Sequence, residues 1–312
     1  MNSQKLSQLG PVDLVYSWVD GSDEVWRGRY AKAKGGIKPS KIRFLDYKTL
    51  QLSLLSVKAF MPWIRNIYII TSQQYPSFDY ESLGATIIFQ NDIIGPEAKL
   101  ETFNSQVIEA YLHKIPGLSD NFLYACDDMI VGNHISQDML FSDGVAQMTM
   151  VPHFQSTPEN AYQHHLLNTR DMLFKETGTK MFHVPGHQFY SVNVRACEKT
   201  WSQFHKYIAP TMEYQFRDER SFHFIFMQSV VGYVNGWMEF NDGSHLRRKM
   251  YDGARCNAQK SDRWFRELWI ERPHLFCLNS FQDTLEELKN YNEVRQNYIA
   301  AVVQSTTKPK KT

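Results

Sequence analysis

Two adjacent carboxylates, Asp127 and Asp128, follow directly on the apolar run "FLYAC" and precede another, "MIV". Neighbouring anions repel, and burying one without a partner is costly. Such a pair calls for a cation. A second acidic stretch, "VDGSDEVW", places Asp20, Gly21, Ser22 and Asp23 after the apolar run "DLVYSWV". If both runs are parallel strands, these loops meet at one sheet edge, where α/β proteins bind ligands. A hard divalent ion such as Mg²⁺, or Mn²⁺, takes oxygen ligands of this kind, and Asp127 and Asp128 are the expected metal ligands. The other reading is a turn whose aspartates cap the next helix.

A carboxylate-held metal usually serves a phosphate, yet the chain has no Walker-type loop and no GxGxxG. In "ETFNSQVIEA", Asn104 and Ser105 stand at a helix start whose free amides suit an anion. By spacing alone, plain capping by Thr102 or Asn104 is the stronger reading there. Histidines concentrate at His153, His164, His165, His183 and His187. An imidazole is the usual proton acceptor for a hydroxyl nucleophile, although most such histidines are structural. Arg217 in "EYQFRDERSF" is by default a surface charge.

The elements that must position these residues alternate in the first half. "DLVYSWV", "NIYIIT", "TIIFQ" and "FLYAC" read as strands; Phe44 to Phe60 and Asn104 to Ile115 read as helices. That alternation argues for a mostly parallel sheet. The second half is less regular. His153 to Tyr190 reads as loops around one short helix, Phe222 to Val234 as a buried helix, "HLFCLN" as a strand and Thr284 to Val303 as a final amphipathic helix. No Pro/Gly/Ser linker interrupts the chain.

Composition narrows the classes further. A length of 312 residues, 43% of them hydrophobic, suits a large core, and a net charge of +1 gives no reason to expect nucleic acid as a partner. The four cysteines, Cys126, Cys197, Cys256 and Cys277, show no CxxC spacing, which argues against a zinc site or a disulfide framework and for reduced thiols in a cytosolic protein. No segment approaches the ~18 apolar residues of a membrane span, so peripheral contact is the most expected of any membrane.

Taken together, "DLVYSWVDGSD", "MPWIRNIYIITSQQYPSF", "LETFNSQVIEAYLHKIPGLSDNFLYACDDMIVG", "HVPGH" and "HLFCLN" follow one another in an order that resembles the Stealth proteins. These are hexose-1-phosphate transferases of microbial surface polysaccharides, similar to the catalytic subunit of N-acetylglucosamine-1-phosphotransferase. The resemblance implies transfer of a sugar 1-phosphate from a nucleotide sugar, typically UDP-linked, to a hydroxyl of a glycan or glycolipid acceptor. A phosphodiester forms and UMP leaves. It also implies catalytic roles for Asp127, Asp128, His183 and Arg217. Substrate contacts would come from Asp20, Gly21, Ser22, Asp23, Arg43, Asn104, Ser105, His187 and Asn279. His183 is the expected base and His187 the lesser histidine.

Several positions depart from that family's pattern. Leu55 stands where an arginine is usual, Ser221 where an acid is expected, and Ser280 where Asn279 would be followed by aspartate. The expected fold is α/β, a Rossmann-like, glycosyltransferase A-type sheet with helices on both faces and an elaborated, partly helical second half. One catalytic domain over 1–312 is expected, with a nucleotide-sugar half (12–150), an acceptor half (151–283) and a C-terminal helix and basic tail (284–312). An ordinary glycosyltransferase releasing UDP, or an inactive binding module, are the alternatives.

Overall fold

The computed structural model describes residues 10–40, 44, 46–152, 157–252, 258–279, 289, 291–293 and 296. The first half runs β1 (Val12–Ser17), α1 (Glu24–Ala33), α2 (Thr49–Phe60), β2 (Ile64–Thr71), β3 (Ala85–Phe89), α3 (Ser105–Tyr111), β4 (Asn121–Cys126) and β5 (Met129–Val131). It continues through β6 (Phe141–Ser142), β7 (Val145–Pro152), α4 (Ala161–Thr177), β8 (His183–Pro185), β9 (Tyr190–Asn193) and α5 (Val194–Met212). The last elements are α6 (Phe224–Val234), β10 (Met238–Asn241), β11 (Arg248–Asp252), α7 (Ala258–Glu271) and β12 (Leu275–Asn279). The architecture is α/β.

The main sheet has the order β3-β2-β1-β4-β9. Its first four strands are parallel, and β9 joins β4 antiparallel at the edge. Parallel strands covered by helices read as continuous apolar runs, which is why "DLVYS" and "NFLYAC" lack alternation. In β1, Leu14, Val15 and Tyr16 are all fully buried. Asp13, in the same strand, is buried too, and its carboxylate accepts from Arg65 at 2.8 and 2.6 Å and from the Ser119 amide at 2.9 Å. Two smaller sheets, β10-β7-β6 with β8 on β7, and β11-β12-β5, flank the main one in the topology.

The second half corrects the sequence reading in one place. Between His153 and Tyr190 the chain forms α4, 17 residues long, together with β8. The buried positions of α4 are His165, Leu166, Thr169, Met172 and Leu173, at helical spacing, but a histidine and a threonine occupy two of them. Those polar residues dilute the hydrophobic period that would have revealed the helix. Asn160 caps its start and Gly178, at φ 71°, ends it. Helix α6, by contrast, is mostly apolar and is buried from Phe224 to Gly232, as expected of "FIFMQSVVG". A Cβ on Gly232 would lie 2.5 Å from Met238 Sδ, so the helix approaches β10 as closely as only glycine permits.

Helix α2 begins at Thr49, later than the expected Phe44, because Lys48 adopts a left-handed φ of 60°. Leu55 packs on a separate apolar cluster with Ile130, Tyr251 and Phe276. The position where the family pattern has arginine is therefore a core contact. The expected helix from Thr284 to Val303 lies largely outside the described residues.

Candidate active site

The register of the main sheet sets Ser17 opposite Cys126, so the chain leaves β1 and β4 at one edge. The acidic loops after both strands start there, as their spacing predicts. In the first loop the carboxylates are already engaged. Asp20 accepts from the Ser22 amide and hydroxyl at 2.7 and 2.6 Å, and Asp23 caps α1 through the amides of Val25 and Trp26. Gln74 ties the two together, donating to the Asp20 carbonyl and to Asp23 Oδ2. Gly21 lies so near the Phe44 carbonyl that a Cβ would overlap it. The turn-and-cap reading therefore describes this loop's bonds.

Asp127 occupies a different setting. It lines a cavity of about 210 Å³ together with Ser17, Trp18, Ser105, Cys126 and Arg217. Its carboxyl accepts from the Thr49 hydroxyl at 3.2 Å. Burial, then the neighbouring Asp128 and Asp46 carboxyls, push its pKa up to about 7. Across the cavity Arg217 donates to Ser105 Oγ at 2.9 Å, and among the described residues it makes no ion pair. Asn104 is buried and spends its side chain on structure, accepting from the Gln106 amide and donating to the Tyr214 carbonyl. It is the helix cap that spacing favoured.

Asp128 faces other partners. Its ligand atom, one nitrogen of His187 and the sulfur of Cys277 all lie within 4.8 Å of one another. The backbone holds this meeting in place, since Cys277 is registered with Met129 and the Leu278 amide donates to the Asp128 carbonyl at 2.9 Å. His187 and Cys277 line a second cavity of about 620 Å³, with Tyr162, Gln188 and Arg248 on its walls. His187, expected as the lesser histidine, has its Nδ1 3.4 Å from the Tyr190 hydroxyl. His183 is exposed on β8, opposite Pro152, and directly precedes Val184 and Pro185 of the cavity wall. Asn279 is exposed at the end of β12. Arg43 and His153 lie outside the described residues. His165 is structural, bonded to the Asp218 carbonyl at 2.8 Å and held by burial at a pKa of about 4.

Comparison with known proteins finds two matching regions in the first half of the chain. Residues 10–38 match the model of Stealth protein CR1, conserved region 1, and residues 43–149 match that of Stealth protein CR2, conserved region 2. In both of these regions the chain is similar to the Stealth proteins. It is 29% identical over 322 residues to the capsular polysaccharide phosphotransferase cps12A of Actinobacillus pleuropneumoniae, covering 95% of this chain and 82% of that one. It is 43% identical over 137 residues to the exopolysaccharide phosphotransferase SCO6021 of Streptomyces coelicolor, covering 42% of this chain and only 25% of that one. A third relative, cps1A of Actinobacillus pleuropneumoniae, is 41% identical over 149 residues, 45% of this chain and 41% of its own length.

Within the second Stealth region lies a residue that sequence reasoning passed over. Glu109 is buried on α3, and burial pushes its pKa up to about 8, with Arg217 and the side chains of Gln106 and Ser105 opposing. One of its carboxylate oxygens has no hydrogen-bond partner. The available signal was an acid set between Val107, Ile108, Tyr111 and Leu112, all of them expected on the buried face. The surroundings of the two aspartates also bear on the metal that the Stealth resemblance implies. Asp127 has oxygen neighbours, the Thr49 hydroxyl and the Asp46 carboxyl, which fit a hard cation. Asp128 shares its side with a nitrogen and a sulfur donor, a set that suits a softer ion.

Proposed function

We propose that this chain transfers a sugar 1-phosphate from a nucleotide sugar, UDP-linked, to a hydroxyl of an acceptor glycan, forming a phosphodiester and releasing UMP. The kinship with proteins named capsular and exopolysaccharide phosphotransferases supports sugar-phosphate transfer in polysaccharide synthesis. The observation that carries the finer reading is the placement of Arg217 and Asp127 on one cavity at the carboxyl ends of parallel strands. The strand order β3-β2-β1-β4 suits a Rossmann-like, glycosyltransferase A-type site.

Phosphoryl transfer requires in-line positioning and neutralised phosphate charge more than covalent help. Arg217, held toward the cavity by Ser105, is placed to pair with diphosphate oxygens in a bidentate manner. Asp127 would hold Mg²⁺ or Mn²⁺, which when bound neutralises charge on the diphosphate. The acceptor would lie in the larger cavity, with His183 at its edge as the base for the attacking hydroxyl. Attack at phosphorus leaves the sugar's anomeric bond intact.

Among the described residues no helix is long and apolar enough to cross a membrane. The deciding experiment incubates the chain with a panel of nucleotide sugars and acceptor glycans and reads the products by mass spectrometry. UMP together with a phosphorus-bearing glycan is expected. UDP with a phosphorus-free product would make the chain an ordinary glycosyltransferase, and binding without turnover would make it a lectin-like module.

A further inference from the structure

We propose that Asp128, His187 and Cys277 form a metal site for a zinc-class divalent ion, separate from the Mg²⁺ expected at Asp127. The three residues come from the turn after β4, the loop after β8 and strand β12, and their ligand atoms lie within 4.8 Å of one another. Nothing in their spacing along the chain announces this. It is the pairing of β5 with β12 that carries Cys277 to the aspartate.

The donor set itself selects the ion. One carboxylate oxygen, one imidazole nitrogen and one sulfur make a poor shell for Mg²⁺, which takes oxygen, and a good one for Zn²⁺ or its neighbours. Three protein ligands with a fourth position open is the pattern of catalytic rather than structural zinc. Here the open side has a place to face, because His187 and Cys277 line the 620 Å³ cavity. Tetrahedral coordination brings ligand atoms to roughly 3.5 Å apart, so binding requires a contraction of at most about 1 Å. His187, on a loop, can supply that movement while β12 and the Leu278–Asp128 bond hold the other two.

A second observation points to a cation at this spot. Among the described residues Asp128 Oδ1 is buried with no hydrogen-bond donor, and the carboxyl's nearest partner is the Cys277 thiol itself. An unpartnered carboxylate oxygen in such a place is costly. Of the basic residues on the cavity wall, Lys249 is paired with Glu267 and Glu271 at 2.9 and 2.8 Å, and Arg248 donates to the wall residue Gln188 at 3.1 Å. The Tyr190 hydroxyl meets Nδ1 of His187, which leaves Nε2 for the ion and orients the ring, as partners of metal-bound histidines do. On binding, the Cys277 thiol would give its proton to solvent and its sulfur lone pair to the metal.

The test uses Co²⁺ as the probe, titrated into the purified, metal-stripped and reduced chain. Saturation at one ion per chain is expected, with the near-ultraviolet charge-transfer absorption of a cobalt thiolate, and added Zn²⁺ should abolish that absorption. It should survive in the C126S/C197S/C256S variant and vanish in Cys277→Ser. Asp128→Asn and His187→Ala should weaken Co²⁺ binding by at least the ~10- to 100-fold that loss of a ligand's supporting partner costs. Circular dichroism verifies folding, and His187→Ala, on a loop, serves if Cys277→Ser does not fold. Absence of the thiolate band in the parent chain, or its persistence in Cys277→Ser, overturns the proposal. Because the readout needs no sugar nucleotide, it stands or falls independently of the transferase reading.

Discussion

Arg217 donates to the hydroxyl of Ser105 at 2.9 Å across 112 residues of chain, joining the segment before α6 to the first residue of α3. The bond turns an exposed arginine toward the cavity that Asp127 lines. If the guanidinium neutralises the donor phosphates, Arg217→Ala should lower kcat/KM by ~100-fold or more, the scale of removing one electrostatic stabiliser. Arg217→Lys should recover little, because an ammonium cannot form the planar double contact. Steady-state kinetics on folded variants check both, and near-parental activity in Arg217→Ala would remove the arginine from the mechanism.

The two aspartates should separate in their metal dependence. Asp127→Asn is expected to reduce turnover by ~100-fold or more while the Mg²⁺ concentration needed for half-maximal activity rises. Because Asp127 is pushed up to about 7, protons compete for it near neutrality, so the parent enzyme should need more Mg²⁺ at pH 6 than at pH 8. An Asp127→Asn enzyme with an unaltered Mg²⁺ requirement would count against this assignment.

His183 is tested by the pH profile. If it accepts the hydroxyl proton, the acid limb of the rate profile should disappear in His183→Ala, with donor affinity unchanged. An unchanged profile accompanied by weaker donor binding would instead assign His183 to phosphate contact.

Glu109 offers a stability test with a definite sign. Its folded pKa of about 8 lies above that of an unfolded glutamate, so the folded state retains a proton that the unfolded state releases. Stability should fall as pH rises from about 4.3 to about 8. Glu109→Gln should remove that loss, leaving the variant more stable than the parent above pH 8 by about 5 kcal/mol and the two alike below pH 4. Denaturant melts at pH 4 and pH 9 give the comparison. A parent that is the more stable at pH 9 would show that the charged form is favoured in the fold.

The buried Asp13 depends on Arg65, which reaches it from β2 at 2.8 and 2.6 Å. Arg65→Ala should cost about 2 kcal/mol, less than the loss of a fully buried pair, because Arg65 is itself 40% exposed and the Ser119 and Asn66 amides remain. Urea melts measure this, and removal of both charges in D13N/R65A should cost less than the sum of the single changes.

Much of the architecture was legible because a strand's apolar run and a helix's period are local properties. β1, β2, β3 and β4 overlap the segments expected of them, each starting one or two residues earlier, and α6 lies within its apolar run. Helix α4 was legible only as one short helix and not in its full 17 residues, because His165 and Thr169 sit where a simple pattern demands apolar residues. Their burial is tolerated through partners far away in sequence: the Asp218 carbonyl takes His165, and the His223 amide meets Thr169. A polar residue satisfied by a distant backbone group looks, in the sequence, like a surface residue.

The chain's own order of residues determined that an acid pair ends a buried strand, that a second acidic loop begins at the same sheet edge, and that the motif blocks resemble those of the Stealth proteins. Which partner each acid meets was decided only by tertiary structure. Asp127 and Asp128 are adjacent in the chain, yet Thr49 meets the first, while His187 and Cys277 approach the second. The physical reason is that periodicity records burial, one residue against its near neighbours, whereas a side chain's partner depends on the registers of strands and the packing of helices formed far away in the chain. The same packing makes Asn104 a cap, brings Arg217 to Ser105, and places a cysteine with no metal-ligand spacing beside a histidine and a carboxylate.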